Sequence, residues 1–307
     1  MNAIIVLTSY PLTFLFPVIT VTLAEAINGA AITLATASIT NARLDAEVLL
    51  SHIIRKDRVW LITHRDDVLD DKNRRDFDEA IRRRTKREPL QYIIGNQEFW
   101  GLEFKVTPDV LIPRPETEFI IEAALAIVQD RNRPVRIIDL CTGSGCIAVS
   151  LAKELTAAHV IATDASEIAL AVARENARSH SVADRIRFLE GDLFEPLKEL
   201  DIRGQIDIIV SNPPYVRAGD LTTLQPEVRD YEPKLALVAG PEGTEFAAQI
   251  IKHATEYLNK NGALIMEMGL GQAGALTRMT EATGAYSKPE VLKDLAGIER
   301  VIVAKKL

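Results

Sequence analysis

The spacing of apolar and polar positions changes twice along the chain, and each change marks a different kind of element. Residues 1 to 24 carry no charged side chain, and Ala3 to Leu23 is a largely apolar run. Pro11 and Pro17 interrupt it, and neither a basic stretch nor a clear small-residue cleavage site accompanies it. Residues 1–20 therefore read as an apolar N-terminal extension, docked or poorly ordered, or as sequence upstream of the true start. A membrane span or signal fits less well. From about Leu23 to Arg87 the spacing turns helical. Within Ala42–Leu50, Leu44, Val48 and Leu49 share one helix face and the charges take the other. Asp71 to Arg87 begins acidic and ends Arg82-Arg83-Arg84-Thr85-Lys86-Arg87, the polarity that a helix dipole favours. Neither glycine nor proline occurs between Ala30 and Glu88, so residues 21–90 are predicted to form a small helical domain. Its basic cluster is a solvated helix end or a partner contact.

Residues 91–112 form a linker. Phe99, Trp100, Leu102, Phe104 and Val106 alternate around Gly101 as a short hairpin would. Pro113-Arg114-Pro115-Glu116-Thr117-Glu118 then opens a helix running to about Gln129, with proline and acids in its first turn. From Arg136 strands and helices alternate. Strands are predicted at 136–140, 159–164, 186–190, 206–210 and 263–268, and an antiparallel pair at 286–292 and 300–305 closes the chain. This alternation predicts an α/β fold for residues 113–307: a doubly wound, mostly parallel seven-stranded sheet with helices on both faces.

Composition narrows the function. Net charge is −7, and residues 96 to 307 carry 23 basic against 31 acidic side chains, which does not suit a general nucleic-acid binder. The two cysteines, Cys141 and Cys146, lie without a second pair or a histidine cluster, so reduced thiols in a cytoplasmic protein fit better than a zinc site.

Two strand ends carry candidate chemistry. The apolar strand Ile206–Val210 stops at Asn212-Pro213-Pro214-Tyr215. Each proline fixes φ and donates no hydrogen bond, so the turn is rigid and rich in carbonyl acceptors. With an amide and an aromatic ring beside it, it suits a planar –NH2 group that needs two acceptors and a flat neighbour. The first strand ends in Cys141-Thr142-Gly143-Ser144-Gly145, whose glycines and following helix N-terminus let a ligand approach the main chain. The second strand ends in Asp164, at the spacing of a ribose-binding acid. The third ends in Gly191-Asp192, where an acid can meet a base or its exocyclic amine. Together these place a nucleoside across the strand ends. A dehydrogenase would need a histidine or Tyr-x-x-x-Lys base near a nicotinamide, and no such group is suitably placed. A binding module on the same fold would not need Asn212 and both prolines.

The glycine loop paired with Asn-Pro-Pro-Tyr resembles a class I, Rossmann-like methyltransferase, which implies S-adenosylmethionine as cofactor. Further motifs narrow the resemblance: Ala42-Arg43-Leu44-Asp45-Ala46-Glu47, Arg87-Glu88-Pro89-Leu90-Gln91-Tyr92-Ile93-Ile94-Gly95, Ile112-Pro113-Arg114-Pro115-Glu116-Thr117-Glu118 and Tyr231-Glu232-Pro233-Lys234-Leu235-Ala236-Leu237. The chain is similar to the bacterial protein-(glutamine N5) methyltransferases that modify peptide chain release factors. The resemblance implies methylation of the glutamine of the Gly-Gly-Gln motif in class 1 release factors, by a cytoplasmic monomer whose helical domain recognises the protein substrate. Sister enzymes act on a glutamine of a ribosomal protein, and DNA adenine methyltransferases share the acceptor turn; the Ile112–Thr117 segment favours the release-factor branch. Cofactor contacts are implied for Cys141, Thr142, Gly143, Ser144, Gly145, Asp164, Asp192, Leu193 and Asn212. Asn212, Pro213, Pro214 and Tyr215 would hold the substrate amide: the Asn212 oxygen and the Pro213 carbonyl accept its hydrogens, and Tyr215 packs on its plane. Arg114 and Glu118 would shape the pocket or cap the helix. Cys141 stands where the family usually has glycine, and Leu193 where it often has an aromatic.

Overall fold

The computed structural model describes residues 20–307, so most of the apolar run starting at Ala3 lies outside the described residues. The chain forms two compact units, divided between Lys86 and Arg87. Helices α1 (Leu23–Thr36), α2 (Ala42–Ile54), α3 (Arg58–Thr63) and α4 (Asp71–Thr85) build the first. Three of them start on side-chain caps. Thr22 and Glu25 form a reciprocal capping box at α1, Asp57 accepts from Trp60 N at α3, and Asp70 accepts from Lys72 N and Asn73 N at α4. Each such cap stabilises its helix by about 1 kcal/mol. Helix α4 buries Phe77, Ala80, Ile81 and Arg84 as one helical stripe.

Helix α2 corrects the sequence reading. Leu44 is 41% exposed and Val48 only half-buried, whereas Asp45, Ala46, Leu49 and Leu50 point inward. The buried face is rotated because Asp45 takes an inner place, where its Oδ2 accepts from Arg84 Nε at 2.8 Å. Removing Arg84 would leave the Asp45 charge buried without this partner, at a cost of about 3–5 kcal/mol. Within the basic cluster, then, Arg84 belongs to the interior, while Arg82 pairs with Glu79 at the open surface.

The second unit begins with α5 (Leu90–Ile94) and the antiparallel pair β1 (Asn96–Phe99) and β2 (Leu102–Lys105). Their two-residue turn, Trp100 and Gly101, has φ of 54° and 68°, the left-handed pair that matches the twist of a hairpin. Glu118 Oε1 accepts from Trp100 N at 2.8 Å, so Glu118 fastens this turn, and no side chain caps the helix that it begins. A short 3-10 turn, Pro115–Thr117, leads into α6 (Glu118–Ile127).

The remaining chain alternates as predicted: β3 (Val135–Leu140), α7 (Cys146–Glu154), β4 (Ala158–Asp164), α8 (Glu167–Ser179), β5 (Ile186–Glu190) and β6 (Ile206–Ser211). A segment that the patterning left unread follows: β7 (Val216–Arg217), α9 (Pro226–Tyr231), α10 (Lys234–Leu237) and β8 (Val238–Gly240). The chain ends with α11 (Glu245–Tyr257), β9 (Leu258–Glu267), α12 (Ala273–Ala282), β10 (Glu290–Lys293) and β11 (Glu299–Lys305). The seven-stranded sheet has the order β10-β11-β9-β6-β3-β4-β5 and is parallel from β9 to β5, with β11 and then β10 added antiparallel. Ile137, Val160, Ile208, Val210 and Ile265 pack on the side of α7, and Ile138, Leu140, Ile209, Leu264 and Met266 on the side of α11. Burial on both faces is why these strands read as unbroken apolar runs. Strand order reverses between β3 and β6, where Leu140 lies level with Ser211. Such a switch point opens a crevice at the carboxyl ends of the strands. Among the described residues, no helix is long and apolar enough to cross a membrane.

Candidate active site

The register that aligns Leu140 with Ser211 sets the Cys141–Gly145 loop beside the Asn212–Tyr215 turn. A cavity of about 300 Å³ opens between them. From the loop, Cys141, Thr142, Gly143 and Ser144 line it; from the neighbouring strand ends come Asp164, Asp192 and Leu193, and from the turn Asn212 and Pro214. Gly145, Pro213 and Tyr215 lie outside this lining. A Cβ on Gly145 would stand 3.0 Å from Ala173 Cβ, so this glycine lets α7 pack closely on α8. The loop is left-handed at Cys141, Gly143 and Gly145, with φ of 59°, 54° and 80°. Cys141 thus holds a conformation that costs a side-chain-bearing residue about 1–2 kcal/mol, the physical reason for glycine at such a position.

Acidic groups are set into this loop. Asp164 Oδ2 accepts from Gly143 N at 2.9 Å and Oδ1 from Ser166 N at 3.0 Å. Burial raises the Asp164 carboxyl above its usual range, against those backbone donors. Beneath the loop, fully buried Asp139 accepts from Thr142 Oγ1 at 2.6 Å, and burial pushes its carboxyl up to about 7. The Cys146 thiol is likewise pushed up, by burial first, to about 12, and the Cys141 thiol is raised further still. Neither sulfur is available as a thiolate at neutral pH.

Asn212 also borders a second cavity, of about 200 Å³, on whose wall Tyr215, Arg114, Leu111 and Leu237 stand. It therefore stands where one apolar hollow meets the other. Asn212 Nδ2 donates to Thr117 Oγ1 at 3.1 Å, and Thr117 Oγ1 donates to Glu267 Oε2 at 2.6 Å. Tyr215 Oη donates to the other oxygen of Glu267 at 3.3 Å. Among the described residues, Asn212 Oδ1 is buried and has no hydrogen-bond partner. An amide oxygen left in that state costs about 1–3 kcal/mol, which a donor entering the cavity would recover. Gln272 Nε2 adds a further tie by donating to Tyr215 O at 3.0 Å.

The sequence reading did not single out Thr117, Glu267 or Gln272 as members of this site. One signal for Glu267 was present: it is a lone charge at the end of the apolar strand Ala263–Met268. The structure also joins two motifs that lie more than a hundred residues apart. Arg114 Nη2 donates to buried Glu232, which accepts from Ile112 N as well. Arg114 thus borders the second cavity from a fixed position.

Two family models match the chain, the PrmC N-terminal domain over residues 25–95 and the Methyltransferase small domain over residues 122–226. The release factor glutamine methyltransferase of Geobacter sulfurreducens is 45% identical over 271 residues, covering 88% of this chain and 91% of that one. The enzyme of the same name from Cereibacter sphaeroides is 42% identical over 282 residues, covering 92% and 98%. Among solved structures, the hMettl16 catalytic domain in complex with MAT2A 3′UTR hairpin 6 matches at TM-score 0.53 and 17% identity, over 78% of this chain and 84% of that one, a likeness of fold alone. With relatives this similar along nearly their whole length, the chain belongs to the release factor glutamine methyltransferase family.

Proposed function

We propose that this enzyme transfers a methyl group from S-adenosylmethionine to the side-chain amide nitrogen of the glutamine in the Gly-Gly-Gln motif of class 1 peptide chain release factors, in the cytoplasm. The observation that carries the reading is Asn212, which lines both cavities and whose buried side-chain oxygen has no partner among the described residues. The larger cavity fits a nucleoside cofactor. Asp164 would take the ribose hydroxyls with the capacity that the backbone donors leave, Asp192 the exocyclic amine, and Leu193 a face of the base. Cys141, Thr142, Gly143 and Ser144 would lie along the rest of it. When bound there, S-adenosylmethionine supplies an electrophilic methyl group.

A glutamine amide nitrogen is a weak nucleophile because its lone pair is delocalised into the carbonyl. In this reading the glutamine reaches Asn212 through the second cavity, past Tyr215, whose ring offers a flat surface to the amide plane. Asn212 Oδ1 accepts one N–H and the Pro213 carbonyl the other, which fixes the nitrogen in line for attack. Orientation of this kind can supply roughly 7–11 kcal/mol in favourable cases. The two acceptors gain strength as the nitrogen becomes positive, so they stabilise the transition state more than the ground state. Transfer of the methyl group would form the N–C bond and break the methyl's bond to sulfur, and the amide would give up one of the two protons that these acceptors hold.

Residues 21–90 would recognise the folded protein substrate, with 91–112 as a hairpin linker and 113–307 as the catalytic domain. Labelled methyl transfer to purified release factors, ribosomal proteins and DNA, measured side by side, tests the assignment. Label is expected on the release factor and lost when the Gly-Gly-Gln glutamine is replaced. Preferred labelling of a ribosomal protein or of DNA would refute it.

A further inference from the structure

The Asn-Pro-Pro-Tyr turn can accept a substrate N–H only if the Asn212 amide faces the right way, and its two orientations have nearly the same shape. From the hydrogen-bond geometry we infer that Thr117 and Glu267 are positioning residues, which fix the Asn212 oxygen toward the substrate and its nitrogen away from it. The inference rests on the glutamine amide being the acceptor.

A threonine hydroxyl has one hydrogen. At 2.6 Å from Glu267 Oε2, Thr117 gives that hydrogen to the carboxylate. What remains on its oxygen can only accept, so its neighbour at 3.1 Å must be the Asn212 Nδ2 group. Asn212 Oδ1, buried and without a partner among the described residues, is left as the free acceptor of a residue that lines both cavities. The direction of the chain therefore starts at the charge on Glu267. A neutral Glu267 could give its own proton to Thr117, free the threonine hydrogen for Asn212 Oδ1, and allow the amide to turn over. Glu267 also receives the Tyr215 hydroxyl, so one carboxylate ties both ends of the four-residue turn.

Its setting supports this role. Glu267 ends β9, next to β6, and is 2% exposed. Burial pushes its carboxyl up to about 7; the Thr117 and Tyr215 hydroxyls oppose that rise, Glu116 adds to it, and Arg300 on β11 opposes it. Arg300 is shared, since its Nε lies 2.8 Å from Asp294 and its Nη2 3.7 Å from Glu116. Arg114 acts on the neighbouring Tyr215 hydroxyl. The ionised state that gives the chain its direction is thus gained as pH rises through about neutrality.

The test uses the full-length enzyme and a purified class 1 release factor. At pH 8, Thr117→Val and Glu267→Gln should each lower kcat by about 10- to 100-fold, with S-adenosylmethionine affinity nearly unchanged. Thr117→Ser, which restores the hydroxyl, should recover most of the loss. In an Asn212→Ala background Thr117→Val should cost nothing further, because the residue it positions is gone. Wild-type kcat should rise through a midpoint near 7, and Glu267→Gln should lose that limb. Undiminished kcat in Thr117→Val, or an undiminished further loss in the Asn212→Ala background, would overturn the inference. A second arm needs no substrate: the Asn212 side-chain NH2 resonances, assigned by their loss in Asn212→Ala, should titrate with Glu267 and move in Thr117→Val. If they do so while the wild type transfers no methyl to the release factor, the substrate assignment fails and the positioning stands. If they neither titrate nor move, the positioning itself is wrong.

Discussion

Two fully buried carboxylates lie beneath the two halves of the candidate site, and they are built alike. Asp139 is under the Cys141–Gly145 loop and Glu267 under the Asn212–Tyr215 turn; each accepts a threonine hydroxyl at 2.6 Å, and burial raises each to about 7. They differ in the origin of that threonine. Thr142 is three residues from Asp139, on the loop it braces, whereas Thr117 is 150 residues from Glu267 and comes from the segment before α6. The brace of one half therefore comes from its own strand and loop. The other depends on three distant segments meeting, and Glu267 also carries the Tyr215 hydroxyl. The comparison teaches that a local brace shapes a binding surface, while a long-range brace can also set the direction of a hydrogen-bond chain.

The largest expected effect is on stability. For Asp139 the folded-state pKa is raised from 3.8 to about 7. Between those values the folded protein keeps a proton that the unfolded chain has released, so stability falls as pH rises through this window and levels off above it. The size is on the order of several kcal/mol if the full shift is realised. Urea midpoints at pH 5 and pH 8 should show Asp139→Asn losing that part of the pH dependence. An unchanged dependence would mean that the two braces are not equivalent.

Next in size is Asn212→Ala, which removes the acceptor that the longer brace presents. Turnover should fall at least about 100-fold, equivalent to roughly 2.7 kcal/mol, while cofactor affinity falls much less. Steady-state kinetics with a release factor, beside calorimetry with S-adenosylmethionine, separate the two; near-normal kcat would reduce the turn to a plain turn. Asp164→Ala probes the opposite half. It should weaken S-adenosylmethionine binding by about 1–3 kcal/mol in a calorimetric titration, with kcat at saturating cofactor less affected. The smallest effect concerns Cys141, at φ 59°. Cys141→Gly relieves the left-handed strain but loosens the unfolded chain, so a gain of up to about 1 kcal/mol is expected in thermal unfolding.

Much of this architecture was legible because its causes are local. The hairpin could be read from alternating apolar residues around Gly101, and the parallel sheet from apolar strands separated by helical segments. The loop was visible in Gly143 and Gly145, since main-chain approach and close helix packing both demand glycine. Leu44 was misread because periodicity treats Asp45 as a surface residue, whereas Arg84, 39 residues away, makes its burial tolerable. The 216–240 segment stayed unread because its helices and strands are too short to establish a period.

By itself the sequence determined the strand and helix rhythm, the two glycines of the loop and the rigid Asn-Pro-Pro-Tyr turn, for these follow from backbone preferences within a few residues. Only the tertiary structure decided which way the Asn212 amide faces, that Glu118 serves the hairpin, and that Glu267 and Thr117 belong to the site. Those outcomes depend on hydrogen bonds between groups 18 to 150 residues apart. No local pattern encodes such partners, because a hydroxyl or carboxylate acquires its role from whatever folding places within about 3 Å of it.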